Sequence, residues 1–429
     1  NSSDTPGVTD FRGDLVCSFE ACGGAWFRCR AGGGLEVSSD ALWRIARARN
    51  MPMLLIVNRM GKEHADWAKA VREMDEILDG TSVPAQLPIG EGESFRGVVD
   101  LIANQAYEFD GEGQAKPIDV PAEMADEVEA AREELMNAAA ETDEALIEKF
   151  LEEGTLNDED LVAGLASGIA AGLVFPIFAT SAEKEIGVST LLRDIVKLLP
   201  NPSVRSSVTA ADGETEIEVG PDKPALCYAF KYQREAQGGD QTWLKVYSGS
   251  LSSSDNMTSS TGNSERIGQL SLASGKGRDK VDGVNCGDIV LAAKLKSSPT
   301  GSTLCGSGID VELPKPAIPN PTSSEAIVSA NAGDEDKMGV GLNKLLEEDT
   351  SFQVVHDGEL SQTLLIGQGE MHLTHILSLL KKGFGVEVER RRPRVAFKET
   401  IKGKVEVQGR YKKQTGGRGQ FGDVHLRLE

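Results

Sequence analysis

Asp4-Thr5-Pro6-Gly7 holds the residue types that a nucleotide switch needs. An Asp at a strand end can hold Mg²⁺ through water, and a Gly just after it lets a bare backbone N–H reach a terminal phosphate. The rival reading of the tetrapeptide is a surface turn. Two other pieces have types and positions that bear on a base. Asn58-Arg59-Met60 follows the apolar run Met53-Leu54-Leu55-Ile56-Val57, and a strand-end Asn can fix a loop and face a base. Ser181-Ala182 follows a second apolar run, 173–179. Each signal is modest alone; their order on one unit carries more than any member.

The elements around these residues alternate. Short continuous apolar runs fit strands buried on both faces of a parallel sheet. Helical spacing marks 41–50, 67–78 and 191–199. Strand-helix alternation predicts a doubly wound α/β unit over 1–200, with ligands at the strand C-termini. An insertion interrupts it at roughly 82–172. Its stretch 121–153 is rich in Glu and Asp with apolar residues at helical spacing. That reads as a solvated amphipathic helix pair, or as an acidic docking surface for a basic partner. The run 163–179 contains Pro176 and falls short of the ~20 residues a membrane helix needs, so a helix followed by a buried strand is expected.

Beyond a Pro- and Ser-rich linker, short strands and Gly turns over 201–313 predict a β-barrel. The pattern over 320–401 is β-α-β-β-α-β, a ferredoxin-like α+β sandwich, with Asp357-Gly358 as a hairpin turn. Residues 402–429 begin a further α+β domain.

The totals exclude some classes. With 45 basic and 67 acidic residues the net charge is −22, which argues against a generally basic nucleic-acid coat. Six cysteines show neither CxxC spacing nor histidines at zinc-finger spacing, and read as reduced thiols of a cytoplasmic protein. His372 and His375 lie three apart on a predicted helix, but no carboxylate at ligand spacing supports a metal there. Charge is uneven along the chain: from Arg390 to Arg418 eleven Lys or Arg face only Glu399 and Glu406. Such a stretch can supply salt-dependent phosphate contacts. Within it, Lys412, Lys413 and Arg418 flank Gly416-Gly417, where the backbone can approach an RNA phosphate closely.

The chain resembles bacterial translation elongation factor G, a ribosomal translocase GTPase. Asp4-Thr5-Pro6-Gly7 with Asp10-Phe11 is similar to that family's third GTPase motif, Asn58-Arg59-Met60-Gly61 to its guanine motif and Ser181-Ala182 to its fifth motif. Gln86-Leu87-Pro88-Ile89-Gly90 and Gly97-Val98-Val99-Asp100-Leu101 resemble its inserted subdomain. Val246-Tyr247-Ser248-Gly249 resembles the barrel, or domain II, and Gly367-Gln368-Gly369-Glu370-Met371-His372-Leu373 resembles domain III. Gln414 to Gly422 resembles the start of domain IV. The resemblance implies GTP or GDP with Mg²⁺, the metal held through water by Asp4. It implies nucleotide contacts from Asp4, Thr5, Pro6, Gly7, Asn58, Arg59, Met60, Ser181 and Ala182. It further implies a monomer that works on the ribosome, touching ribosomal RNA and proteins, and tRNA and mRNA through the full tip, with no membrane.

The departures from that family matter as much. The phosphate-binding loop is absent, and its nearest counterpart, Gly275-Lys276, has Gly277 where a hydroxyl belongs. Val8 stands where the family has His and cannot orient an attacking water. Gly61 stands where the family has a base-reading Asp, and Ser2-Ser3 replaces an apolar strand end. The expectation is therefore a fragment that does not hydrolyse GTP by itself and has no catalytic residue of its own. Two alternatives stay open: a ribosome-protection or recycling paralogue, and a ribosome-binding module without nucleotide hydrolysis.

Overall fold

The computed structural model describes residues 3–33, 37–78, 80–235, 239–275 and 277–429; Ser2 and Lys276, named above, lie outside them. The chain opens with α1 (Arg12–Ala21), β1 (Ala25–Arg30), α2 (Val37–Arg47), β2 (Met53–Asn58), α3 (Trp67–Ile77) and β3 (Thr81–Pro84). The insertion supplies β4 (Gln86–Ile89), β5 (Gly97–Asp100), β6 (Gln105–Phe109), β7 (Ala115–Ile118), α4 (Ala125–Ala140), α5 (Glu144–Glu153) and α6 (Asp158–Ala170). The unit closes with β8 (Val174–Ala179) and α7 (Val188–Leu198).

The two apolar runs become the inner strands of a parallel sheet ordered β1-β2-β8-β3. Every side chain of β2 and β8 is buried, as a strand covered on both faces requires. β3 starts at Thr81 and pairs in parallel with β8, so the inserted sheet begins only after Pro84. That sheet is an antiparallel meander, β4-β5-β6-β7. Its Leu87, Val98 and Leu101 share one core with Leu54, Phe175 and Ile177 of the parallel sheet, and with Leu135 of α4. The acidic stretch forms α4 and α5, burying Val128, Leu135 and Met136 and exposing its carboxylates. Asp66, Asp143 and Asn157 cap α3, α5 and α6 by accepting backbone N–H groups at 2.8 Å.

The second unit is an eight-stranded antiparallel sheet around a core of its own, including Cys227, Leu244, Val246 and Leu304. It joins the first unit through the end of α1: Ala21 packs with Ile217, Leu226 and Tyr228, and the Tyr247 hydroxyl donates to the Glu20 carbonyl.

In the third unit the strand order is Gln353–Asp357, Gln362–Gly367, Ser323–Ser329, Val388–Arg391, all antiparallel. Helices α8 (Glu335–Glu348) and α9 (Glu370–Phe384) complete the ferredoxin-like alternation. The hairpin differs from a two-residue Asp357-Gly358 turn. The strand runs through Asp357, whose Oδ1 accepts the N–H of Glu359 and Leu360 at 3.1 Å each, and Ser361 takes φ +46° before the chain returns. The chain ends in an exposed antiparallel hairpin, Val405–Lys413 with Gln420–Leu428. No helix among the described residues is long and apolar enough to cross a membrane.

Candidate nucleotide-base site and basic hairpin

The C-terminal ends of β2 and β8 lie side by side, and the loops that leave them are tied together. Thr180 N–H donates to the Val57 carbonyl at 2.8 Å, and Met60 N–H donates to the Thr180 carbonyl at 3.1 Å. Asn58 completes the tie through its side chain: Oδ1 accepts from Ala182 N–H at 3.0 Å and from the Thr180 hydroxyl at 3.4 Å. Asn58 is buried, so these bonds replace water that it cannot reach. The strand-end Asn thus holds the second loop.

The second loop is short and closed on itself. Ser181 pairs with Ile186 in both directions, at 2.9 and 3.1 Å, and Lys184 N–H donates to the Ser181 carbonyl at 3.1 Å. Gly187 then launches α7 with φ +76°, and a Cβ there would meet the Ala179 carbonyl oxygen at 2.4 Å, so only Gly serves. Across the two loops, Lys62 and Glu183 pair at 2.6 Å. The hydrogen bond and charge of Lys62 hold the Glu183 carboxyl below its ordinary range.

Asn58, Arg59, Met60, Ser181 and Ala182 are therefore one cluster, with unequal access. Arg59 is exposed and strained into the left-handed region at φ +67°. Ala182 is exposed and Ser181 is buried. The Met60 side chain is fully buried, so it reaches a ligand only through its backbone. At Gly61, a Cβ would meet Lys184 Cδ at 2.9 Å, Lys184 Cε at 3.0 Å and Ser181 Oγ at 3.1 Å. The Lys184 stem occupies the place where a side chain at position 61 would begin. Sequence reasoning missed Lys184, Thr180 and the Lys62–Glu183 pair. The one sequence signal for Lys184 was its place three residues after Ser181, inside a loop too short to send its stem far.

Asp4, Thr5, Pro6 and Gly7 lie elsewhere, in an irregular segment ahead of α1, with Thr5 half-buried and the others exposed. Among the described residues, no hydrogen bond or ion pair joins them to either loop. Val8 is exposed beside them. The same segment instead meets the third unit through Asp10 and Phe11.

The basic stretch sorts into two sets. Arg390 is held by Glu325 and lies 3.8 Å from Glu370, Arg391 pairs with Glu389 at 2.8 Å, and Lys404 pairs with Glu429 at 2.9 Å. Arg410 lies 3.9 Å from Asp423 and stacks over Phe421. Lys412, Lys413 and Arg418 are exposed and make no ion pair among the described residues. Lys412 and Lys413 end one strand opposite Phe421 and Gln420, and Arg418 sits in the connecting loop. Gly416 and Gly417 shape that loop at φ +72° and +103°. The tip of the hairpin thus carries three exposed positive charges that make no ion pair among the described residues.

His372 is packed rather than open to a metal. It is buried, its Nδ1 accepts the Gln368 N–H at 3.1 Å, and its Nε2 lies 2.7 Å from Asp349 Oδ2.

Comparison with known proteins gives this arrangement a family. Residues 1–201 match the family described as Elongation factor Tu GTP binding domain. Residues 318–392 match Elongation Factor G, domain III, and 393–429 match Elongation factor G, domain IV. A crystal structure of a protein from Thermus thermophilus is similar at a TM-score of 0.87 and 33 % identity, over 99 % of this chain and 62 % of that one. The chain thus spans under two thirds of the length of that protein. A match to the elongation factor Tu GTP-binding domain followed in order by matches to elongation factor G domains III and IV makes the chain elongation factor G-like.

Proposed function

We propose that this chain serves ribosomal translocation, carrying the base side of a guanine-nucleotide site, the barrel and third unit that couple it, and the start of a tip that contacts ribosomal RNA. In this reading residues 1–200, 201–313, 320–401 and 402–429 correspond to the GTPase domain and domains II, III and IV. The observation that carries it is the Asn58 Oδ1 to Ala182 N–H bond, which joins the two loops expected to face a base. Asn58, Arg59, Ser181, Ala182 and the backbone of Met60 would hold the base. Asp4 and Gly7 would serve Mg²⁺ and the terminal phosphate. The residues at hand fit the metal weakly, since Asp4 is exposed and the described residues hold no group of three or more His, Cys, Asp or Glu side chains that could share a metal.

Hydrolysis is a separate matter. Val8 offers no hydrogen bond to an attacking water, so the chain does not turn over GTP by itself; in this reading it binds ribosomes in the cytoplasm as a monomer. Val8 and Gly61 also favour a second reading, a ribosome-binding module that has lost nucleotide chemistry. A ribosome-protection or recycling paralogue shares the same architecture and differs in the tip. The deciding experiment is co-sedimentation with ribosomes alongside GTP turnover and GDP binding. Ribosome binding with guanine-specific GDP binding supports the first reading. Ribosome binding without any nucleotide binding supports the second, and no ribosome binding overturns both.

A further inference from the structure

The inserted sheet meets α7 through a buried cluster of charge that no part of the nucleotide reading uses. Asp100, at the end of β5, is fully buried, and Asp194 on α7 is 1 % exposed. One guanidinium serves both. Arg193 Nε donates to Asp194 Oδ1 at 3.1 Å, and Nη2 donates to Asp100 Oδ2. Nη1 donates to the Tyr107 hydroxyl of β6 at 3.2 Å. Asp100 Oδ1 is satisfied by the Ala103 N–H at 2.9 Å.

The rest of the cluster is incompletely paired. Asp194 Oδ2 is buried without a partner, and so are both amide atoms of the Gln86 side chain. Gln86 lies directly across from Asp100 in the β4–β5 register, so the two side chains project from the same face. Two buried carboxylates against one guanidinium leave a net negative charge out of water. Such a charge is costly, and the usual resolution is to take up a proton. The other groups near Asp194 do not cancel it. Lys197 acts on it only from further along its own helix. Of the three acids of α6, which also packs on α7, Asp158 is tied to Arg132 and Asp160 to Lys149, and Glu159 is exposed.

We propose that the Asp100–Asp194 pair is a proton-binding site whose proton clamps the inserted sheet to α7. The proton removes the surplus charge. Consistent with this geometry, burial and then the Asp100 charge push the Asp194 carboxyl up from 3.8 to about 6. A carboxyl raised in the folded state gives stability that is full in acid and is lost as pH rises through its folded value. The clamp is therefore tightest below about pH 3.8, weakens as pH rises to about 6, and is at its loosest above that.

The test is hydrogen exchange on the full chain at about pH 5 and about pH 7.5, corrected for intrinsic exchange rates. Opening of 97–109 and 188–198 should be about tenfold rarer at the lower pH. The barrel strand Gly239–Ser248 is the internal control and should not change. Asp194→Asn, which stays neutral, should show the acid level of protection at both pH values. Equal protection of the parent at both pH values overturns the proposal, and so does greater opening of Asp194→Asn than of the parent at the higher pH. If that variant fails to fold, the parent's pH profile still decides.

Discussion

The carboxylate of Asp10 accepts the backbone N–H of Met371 at 2.9 Å, so α9 takes its cap from a residue 361 positions earlier in the chain. The helix's own cap position is Gly369, which has no side chain to offer. Gly369 is extended, at φ −178°, so its backbone does not demand glycine; close approach does. A Cβ there would lie 2.3–2.4 Å from the Asp10 carboxylate. Phe11 adds edge-on contacts to His372 and His375, with ring centroids 5.9 and 5.7 Å away. The segment beside Asp4–Gly7 is thereby bolted to the third unit.

That geometry makes a double-mutant test. Asp10→Ala removes an N-cap and should cost about 1 kcal/mol, read by urea denaturation. Gly369→Ala should also destabilise, through its contact with the carboxylate. In the Asp10→Ala background that contact is gone, so the second substitution should cost much less. Additive losses would show that the two residues do not act on each other.

A second prediction concerns acid stability. Burial alone would raise the Asp349 carboxyl, but hydrogen bonds from His372 and from Ser351 outweigh it and hold the carboxyl below its ordinary value of 3.8. A carboxyl lowered in the folded state stabilises above its unfolded value, and that stability disappears as pH falls through its folded one. Asp349→Asn should therefore destabilise the third unit at neutral pH. Its difference from the parent should shrink below about pH 3.8 in pH-dependent melts. A constant difference at all pH values would falsify this assignment.

Asn58→Ala should unlatch the two loops. The Ala182 N–H would lose its acceptor, while the Thr180 hydroxyl keeps the Val57 carbonyl at 3.5 Å, and a group left unsatisfied costs about 1–3 kcal/mol. Hydrogen exchange should rise over 181–187 while the Thr180 N–H, bonded to Val57, stays protected. Unchanged exchange in the loop would mean that its internal Ser181–Ile186 pairing suffices.

Much of this was legible in the sequence, for reasons visible in particular residues. Continuous apolar runs at 53–57 and 173–179 fitted doubly covered strands, the second of which begins at Val174, and the third unit's alternation followed from periodicity and two helices with clear leucine faces. The Asn58 latch was half legible: the residue type pointed to a loop anchor, but its partner sits 124 positions away. Contacts between units were not legible at all. Nothing local marks Asp10 as the cap of a distant helix, or Arg193 as the shared partner of Asp100 and Asp194. The burial of Met60 was hidden because its place in a motif says nothing about which way its side chain turns. The basic stretch looks more charged in sequence than in space, because the acids that neutralise Arg390 and Lys404, Glu325 and Glu429, become neighbours only on folding.

Gly61→Asp tests what the Lys184 stem does. The new side chain must displace the flexible end of Lys184, a shift that costs little, and its carboxylate can then pair with the ammonium. Stability should stay within about 0.5 kcal/mol of the parent. A regained acceptor should improve guanine over hypoxanthine nucleotide by roughly 1–3 kcal/mol, measured by competition for GDP binding. No gain in discrimination would remove position 61 from base reading in this chain.

The hairpin offers the sharpest prediction, because paired and unpaired charges there are easily separated. Lys412, Lys413 and Arg418 are exposed and uncompensated, whereas Arg390 is fastened to Glu325. Each side chain that neutralises a phosphate contributes roughly 0.7–0.9 to the slope of log affinity against log salt. Replacing all three tip residues with Gln should therefore lower that slope for ribosome binding by about 2–3. Arg390→Gln should leave the slope almost unchanged, since its guanidinium is already engaged by a protein carboxylate, and should instead lower the stability of the third unit. If the two variants flatten the salt dependence equally, net charge alone governs binding, and the hairpin tip has no special place in it.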